Sequence, residues 1–163
     1  MKSTLLLLIS MLVLSQNIAA DEDQMAISVK RLSLETTTRI ATATIKACRE
    51  KGIQISVTVV DRNGLIQSVM RDTVAPAISL KISRQKAYTA VNFGAPTSQL
   101  EDRAATPIGR IDGLVMSAGG LPIQAAGHIL GGVGVSGAPS GVTDEECAQA
   151  GIDAVLDDLE MEL

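Results

Sequence analysis

A segment in the middle of the chain carries side chains suited to recognising an anion. Spacings of three and four residues place Lys86, Thr89 and Phe93 on one face of a predicted helix, with Ile82 on the same side. A lysine ammonium offers three hydrogen-bond donors and a full charge, so it suits a carboxylate ligand. Lys86 is therefore a candidate ligand-binding and catalytic residue. The alternative interpretation is a surface lysine whose stem lies along apolar neighbours.

Asp61 is the second candidate catalytic residue, as a general base. It follows an alternating apolar segment and precedes Arg62, Asn63 and Gly64. A tight turn also favours aspartate at this position, because its carboxylate accepts hydrogen bonds from the backbone of the next residues. The sequence leaves both interpretations open.

Side chains that could coordinate a metal ion are scarce. The chain has one histidine, His128, and one tyrosine, Tyr88, and either side chain can serve as an axial ligand. His128 lies at a predicted hairpin tip, where an exposed polar residue is expected in any case. Tyr88 shares a helix face with Lys81 and Arg84, and it could instead pack between helix and sheet. One histidine and two cysteines do not supply a closed zinc site.

The stretch from Gly119 to Gly137 alternates glycine with aliphatic residues. Each interior glycine costs a helix about 0.5–1 kcal/mol relative to alanine, so the stretch is predicted as two strands, 121–126 and 129–136, joined near Gly127. Glycines inside strands mark places where a ligand or another backbone approaches closely.

The other predicted elements surround this hairpin. Short turns between neighbouring strands indicate an antiparallel sheet with helices packed on it, which is an α+β fold. Helices are predicted over 34–51 and 77–92, and a last helix begins with a capping box at Thr143 and Glu146. Besides the hairpin, the predicted strands are a half-buried strand over 53–59, a second strand over 65–71 and a third at 114–117.

The first twenty residues resemble a secretory signal. A positive start at Lys2 precedes the apolar run Leu5–Leu14, and small residues end at Ala20. The run is too short to cross a bilayer of about 30 Å. We therefore predict a signal peptide over 1–20, a single domain over 21–163 and a periplasmic or secreted protein with no membrane partner after cleavage.

The net charge limits which kinds of macromolecule the protein is expected to bind. The 18 Asp and Glu outnumber the 14 Lys and Arg, which argues against binding to nucleic acid or to anionic membranes. No Lys or Arg follows Ile111, so self-association or a solvated acidic helix face is expected there.

Cys48 and Cys147 can form a disulfide if the first and last helices are antiparallel. If those helices are parallel, the two thiols lie on the order of 15 Å apart and stay free.

Four motifs together resemble the GlcG/HbpS-type haem-binding family, over roughly residues 30–160. They are Val60-Asp61-x-x-Gly64, Lys86-Ala87-Tyr88-Thr89-Ala90, Gly119-Gly120-x-Pro122-Ile123 and Gly132-x-Gly134-Val135-Ser136-Gly137. The resemblance implies a profilin-like α+β domain with a five-stranded antiparallel sheet, assembly into homo-oligomers, and haem as the ligand.

The resemblance also implies where a ligand lies, in a pocket between the middle helix and the glycine loop. The residues expected to line it are Lys86, Thr89, Phe93, Gly119, Gly120 and Pro122. The expected function is haem binding by an exported protein, with haem degradation or sensing as extensions. The alternatives are an enzyme that acts on a small carboxylate or carbonyl metabolite through Lys86 and Asp61, and a structural or sensory partner in an oligomer.

Overall fold

The computed structural model describes residues 25–163, so the predicted signal peptide over 1–20 lies outside the described residues. The main elements in chain order are α1 (Leu34–Glu50), β1 (Ser56–Asp61), β2 (Ile66–Arg71), α2 (Ile78–Phe93), β3 (Gly120–Ala125), β4 (His128–Ser136) and α3 (Gly141–Glu162). Two 3-10 helices, Thr97–Arg103 and Pro107–Arg110, lie between α2 and β3. None of the helices described is both long enough and apolar enough to cross a membrane.

The sheet is antiparallel throughout and has the strand order β2-β1-β4-β3. The predicted α+β class is therefore confirmed, but the predicted fifth strand at 114–117 is wrong. The backbone donors of that region are taken by side chains instead of a neighbouring strand. Val115 donates its N–H to the Thr89 hydroxyl at 2.9 Å, and Ala118 donates to the Glu101 carboxylate at 3.0 Å.

Helices cover both faces of the sheet. α1 and α3 enclose the larger apolar core, in which Ile40 and Val155 pack with inward-facing valines of β1 and β4. The two helices are antiparallel, because Arg39 near the start of α1 pairs with Asp158 near the end of α3 at 2.8 Å. This direction brings the end of α1 to the start of α3. There the structure joins Cys48 and Cys147 in a disulfide with a Cα–Cα distance of 5.5 Å.

Serine hydroxyls begin the two helices of this layer. Ser33 accepts a hydrogen bond from the Thr36 N–H at 3.1 Å and so caps α1. Ser140 does the same for α3, accepting from the Thr143 N–H at 3.1 Å. The predicted capping box at Thr143 and Glu146 is therefore wrong. The extended residue Ser140 supplies the cap earlier in the chain, and Glu146 forms an ion pair with Lys51.

α2 lies directly against the glycines of β4 on the other face. A Cβ atom on Gly132 would sit 2.7 Å from the Ala87 carbonyl oxygen, and one on Gly134 would sit 2.1 Å from that of Ser83. The close approach expected at these glycines is therefore the backbone of α2. Beside it, hydroxyl pairs link β1 to α2, including Thr58 to Ser83 at 2.9 Å. The strand predicted as half-buried is consequently buried along its whole length.

A bidentate ion pair links the end of α1 to the residue that follows β2. Arg49 donates from Nε and Nη2 to the two carboxylate oxygens of Asp72, each at 2.7 Å. These hydrogen bonds lower the pKa of the Asp72 carboxyl, against a desolvation effect that raises it, and the Thr73 N–H lowers it further. In return, hydrogen bonding and attraction to Asp72 raise the pKa of Arg49.

Candidate functional site

Lys86 lies on the side of α2 that faces β3, which we call the inner face. Its side chain is only 5% exposed, and its Nζ donates to Asp144 Oδ2 at 3.0 Å. A Cβ atom on Gly119 would lie 2.6 Å from Nζ, so the ammonium lies beside the glycine loop. Asp144 also accepts the Ala138 N–H at 3.0 Å. The lysine is therefore neutralised by a carboxylate of this same chain.

The N–H groups of the glycine loop are likewise occupied. Ala118 donates to Glu101 and Gly119 donates to Glu145, both at 3.0 Å, while Gly120 donates to the Thr97 hydroxyl at 2.8 Å. Such donors beside an ammonium would otherwise suit an anionic ligand. A ligand carboxylate placed here would have to displace oxygen atoms that the protein itself supplies.

The other residues predicted for this pocket have defined partners. The Thr89 hydroxyl donates to the Gln85 carbonyl at 2.7 Å and accepts the Val115 N–H, so it holds the loop onto α2. The Phe93 ring lies under the Arg103 guanidinium, 6.0 Å from centroid to carbon. Pro122 is half-buried in β3 opposite Gly132. The structure thus gathers Lys86, Thr89, Gly119 and Gly120 into one network around the loop.

Asp61 builds the turn between β1 and β2. Its Oδ1 accepts the N–H groups of Asn63 at 2.8 Å and Leu65 at 2.9 Å, and its Oδ2 accepts from Arg31 at 3.3 Å. Along β4, Asp61 is paired with Gly131, whereas the Gly119 loop bonds to Val135. Four strand residues correspond to roughly 13 Å, so Asp61 and Lys86 do not share a site.

The opposite side of α2, which we call the outer face, lines an open cleft with a volume of about 420 Å³. Its lining residues are Lys81, Arg84, Gln85, Tyr88, Asp112 and Gly113. Within residues 25–163, neither Lys81 nor Arg84 forms an ion pair, and the Tyr88 hydroxyl makes no hydrogen bond, whereas the Asn92 side chain donates to the Tyr88 backbone carbonyl. The outer face therefore presents two cations and a phenol that are available to a ligand.

Tyr88 is held in position by the β1–β2 turn. Gly64 has φ +81°, and a Cβ atom there would lie 2.6 Å from Cδ2 of the Tyr88 ring. Glycine at this position therefore allows both the turn and the contact with the ring. The contact joins two of the motifs singled out in the sequence, the Asp61 turn and the central helix. The ring is 39% exposed and borders the cleft.

Sequence reasoning placed Lys81, Arg84 and Tyr88 on one helix face but did not assign the two cations to a site. Exposed lysine and arginine are common on any solvated helix, and only the cleft beside them distinguishes these two. His128 lies elsewhere, exposed at the start of β4, where it pairs with Ala125. Among the described residues, no three His, Cys, Asp or Glu side chains are grouped to hold a metal ion.

Comparison with known proteins identifies the family. HbpS of Streptomyces reticuli, solved as a double mutant, is 39% identical with a TM-score of 0.76, over 85% of this chain and 95% of that one. A complex of PduOC with haem is 26% identical with a TM-score of 0.71, over 76% of this chain and 94% of that one. An uncharacterized 15.0 kDa protein of the dhaT-dhaS intergenic region of Citrobacter freundii is 34% identical over 118 residues, or 61% of this chain and 82% of the relative.

The family model described as "Haem degrading protein HbpS-like" matches residues 32–153, from the residue before the α1 cap to the middle of α3. The match contains the glycine loop, the central helix and both of its faces. This chain therefore belongs to the HbpS-like family of haem-degrading proteins.

Proposed function

We propose that this chain binds haem in the cleft on the outer face of α2. Membership of the HbpS-like family and the haem complex of PduOC support the choice of ligand. The observation that carries the location is the group of unpartnered side chains, Lys81, Arg84 and Tyr88, around one cleft.

The residues of the cleft fit the chemistry of haem. A phenol oxygen is an established type of axial ligand for haem iron, and Tyr88 supplies one. Lys81 and Arg84 supply two cations for the two propionates, through charge-assisted hydrogen bonds. A volume of about 420 Å³ lies in the range typical of small-molecule sites. Bound haem would supply the iron centre for any redox chemistry, while these side chains hold and orient it.

Two other placements remain as alternatives. His128 could serve as the iron ligand, and Lys86 with the Gly119 loop could form the site if Asp144 and Glu145 gave way to the ligand. The cleft on the outer face is lined by Tyr88 and not by His128, Lys86 or Gly119, which favours the outer placement. No specific contact favours an enzyme acting on a metabolite through Lys86 and Asp61, because those residues lie apart.

A haem titration of the purified mature protein, followed by absorbance, tests the proposal. We expect a Soret band that saturates at one haem per chain. Tyr88→Phe should shift the band and weaken binding, whereas His128→Ala should do neither. The reverse pattern would move the iron ligand to His128, and a titration without saturation would contradict haem binding.

We also propose that the protein is exported, with cleavage after Ala20. The disulfide between Cys48 and Cys147 supports this, because such bonds persist in oxidising compartments. The intact mass of exported material should correspond to a chain that starts at Asp21 or within two residues of it. Exported protein that retains residues 5–14 would contradict the proposal.

Assembly into a homo-oligomer is a further part of the proposed function. The support is the edge strand β2, where Ile66 is 46% and Val69 is 44% exposed, and adjacent exposed apolar residues favour association. Size-exclusion chromatography with light scattering should give a mass of at least two chains at micromolar concentration. A monomer mass would contradict it.

A further inference from the structure

Between α2 and β3 the chain makes an exposed excursion, residues 104–112, which we call the flap. Every flap residue is exposed except the half-buried Gly109. Its backbone hydrogen bonds are local turns, such as Gly109 N–H to the Thr106 carbonyl at 3.1 Å and Ile111 N–H to the Ile108 carbonyl at 3.2 Å. The flap therefore holds its own shape and has little connection to the rest of the fold.

The segments on either side of the flap are fixed. Leu100 before it and Met116 after it are buried, at 4% and 6% exposure. Glu101 accepts the Ala118 N–H at 3.0 Å and so ties the two ends together. A compact exposed loop whose ends are close is an Ω-type loop, a class that frequently carries function. Gly113, where the flap returns to the fold, has φ +93°, a conformation that glycine adopts without the steric cost of a Cβ atom.

The flap ends at the haem cleft. Asp112 and Gly113 are part of the cleft lining, and Ile111 directly precedes them. Ile111 is 53% and Ile108 is 38% exposed. The six lining residues include no aliphatic side chain, although the porphyrin faces are apolar. The cleft therefore has groups for the iron and the propionates but no aliphatic side chain for the porphyrin faces, and the flap carries two such side chains, Ile108 and Ile111, beside it.

We propose that the flap is the second wall of the haem site and that it closes onto bound haem, burying Ile111 and Ile108 against the porphyrin. This proposal rests on the proposed haem-binding function. Among the described residues the flap makes only local hydrogen bonds, so closure would break no long-range hydrogen bond. Removing the apolar contact of one isoleucine should speed haem release on the order of tenfold.

Limited trypsin digestion of the full mature protein tests closure directly. Arg110 lies within the flap and Arg103 immediately precedes it, so both bonds should be cut readily without haem and much more slowly with it. The exposed Lys30, in the segment before α1, provides an internal control whose cleavage should not change. Equal cleavage at Arg103 and Arg110 with and without haem would overturn the proposal.

A pair of variants tests the apolar contact. Ile111→Asn should release haem to an excess of a haem acceptor about tenfold faster than the wild type, with the Soret maximum unchanged because Tyr88 is untouched. Ile27→Asn changes an equally apolar, exposed residue far along the chain and should release haem at the wild-type rate. Equal release by the two variants would overturn the flap proposal while haem binding stands. Absence of haem binding by the wild type would overturn both.

Discussion

The inner and outer faces of α2 both carry positively charged side chains, but the one on the inner face is buried and paired, whereas those on the outer face are exposed and, among the described residues, unpaired. On the inner face Lys86 is 5% exposed and pairs with Asp144, which is 4% exposed, at 3.0 Å. On the outer face Lys81 and Arg84 border a cleft and have no charged partner within residues 25–163. The comparison shows that a lysine beside a glycine loop can have its charge matched by a carboxylate of the same chain. The groups available to a ligand are those that the fold leaves without a partner.

The cost of burying an ammonium group explains why Lys86 on the inner face is paired with a carboxylate. A buried ammonium loses several kcal/mol of hydration, which only a well-placed counter-charge and further hydrogen bonds repay. Asp144 supplies the charge, and the Ala138 N–H satisfies its other oxygen. Exposed cations on the outer face lose little hydration, so they can stay unpaired until a ligand arrives.

The largest effect is expected from Lys86→Met, which removes the charge but keeps most of the side-chain volume. It leaves Asp144 buried without its partner, a change that typically costs about 3–5 kcal/mol. Chemical denaturation should show this loss in the free energy of unfolding. Haem affinity per folded molecule should stay within about twofold of the wild type.

A different result for this variant would support the inner pocket. If haem binding weakened 10- to 150-fold, the range expected for loss of one charge-assisted hydrogen bond of about 1.5–3 kcal/mol, Lys86 would contact the ligand. The double variant Lys86→Met with Asp144→Asn provides the matched control, because it removes the unpaired charge and should recover part of the stability.

The next effect is expected from Tyr88→Phe, the corresponding change on the outer face. The variant keeps the ring against Gly64 and removes only the oxygen, so unfolding free energy should change by less than about 0.5 kcal/mol. Haem affinity should fall about tenfold or more, which corresponds to about 1.4 kcal/mol, and the Soret band should move. An unchanged spectrum and affinity would remove Tyr88 from the site and leave the inner pocket as the better location.

The sequence predicts most of the frame on which these two faces rest. Helical periodicity and the Ser33 cap place α1, and glycine content together with alternation places the β3–β4 hairpin. The predicted fifth strand at 114–117 was wrong because Val115 donates its N–H to Thr89 and the neighbouring Ala118 donates to Glu101, contacts that periodicity does not reveal. Within the site, the resemblance of the sequence motifs to the family was enough to predict that Lys86 lies beside Gly119. The neutralisation of Lys86 depends on Asp144, 58 residues further along on another helix, and no local spacing indicates that pairing.

The ion pair between Arg49 and Asp72 is more exposed than the pair of Lys86 with Asp144, and its contribution to stability depends on pH. Arg49 is 60% exposed and Asp72 is 3% exposed. Because Arg49 lowers the pKa of Asp72 in the folded state, the pair stabilises the protein above the unfolded aspartate pKa of about 3.9, and this contribution is lost as pH falls through the folded pKa.

Arg49→Gln should therefore lower stability near neutral pH, and its stability should approach that of the wild type below about pH 4. Acid titration followed by circular dichroism should place its unfolding midpoint at a higher pH than that of the wild type. A constant difference in unfolding free energy across the whole pH range would contradict the ion pair as its source.

The smallest effects are expected from the outer-face cations, tested one at a time as Lys81→Gln and Arg84→Gln. Exposed charge contacts contribute about 0.2–1 kcal/mol each, so each variant should weaken haem binding by roughly 1.4- to 5-fold. Because salt screens exposed charges, the difference from the wild type should shrink between low salt and about 1 M salt. Lys46→Gln, on an exposed part of α1, is the matched control for loss of one positive charge. If the control weakened binding as much as either cleft variant, overall charge rather than contact in the cleft would explain the effect, and the outer face would lose its distinction from any solvated helix face.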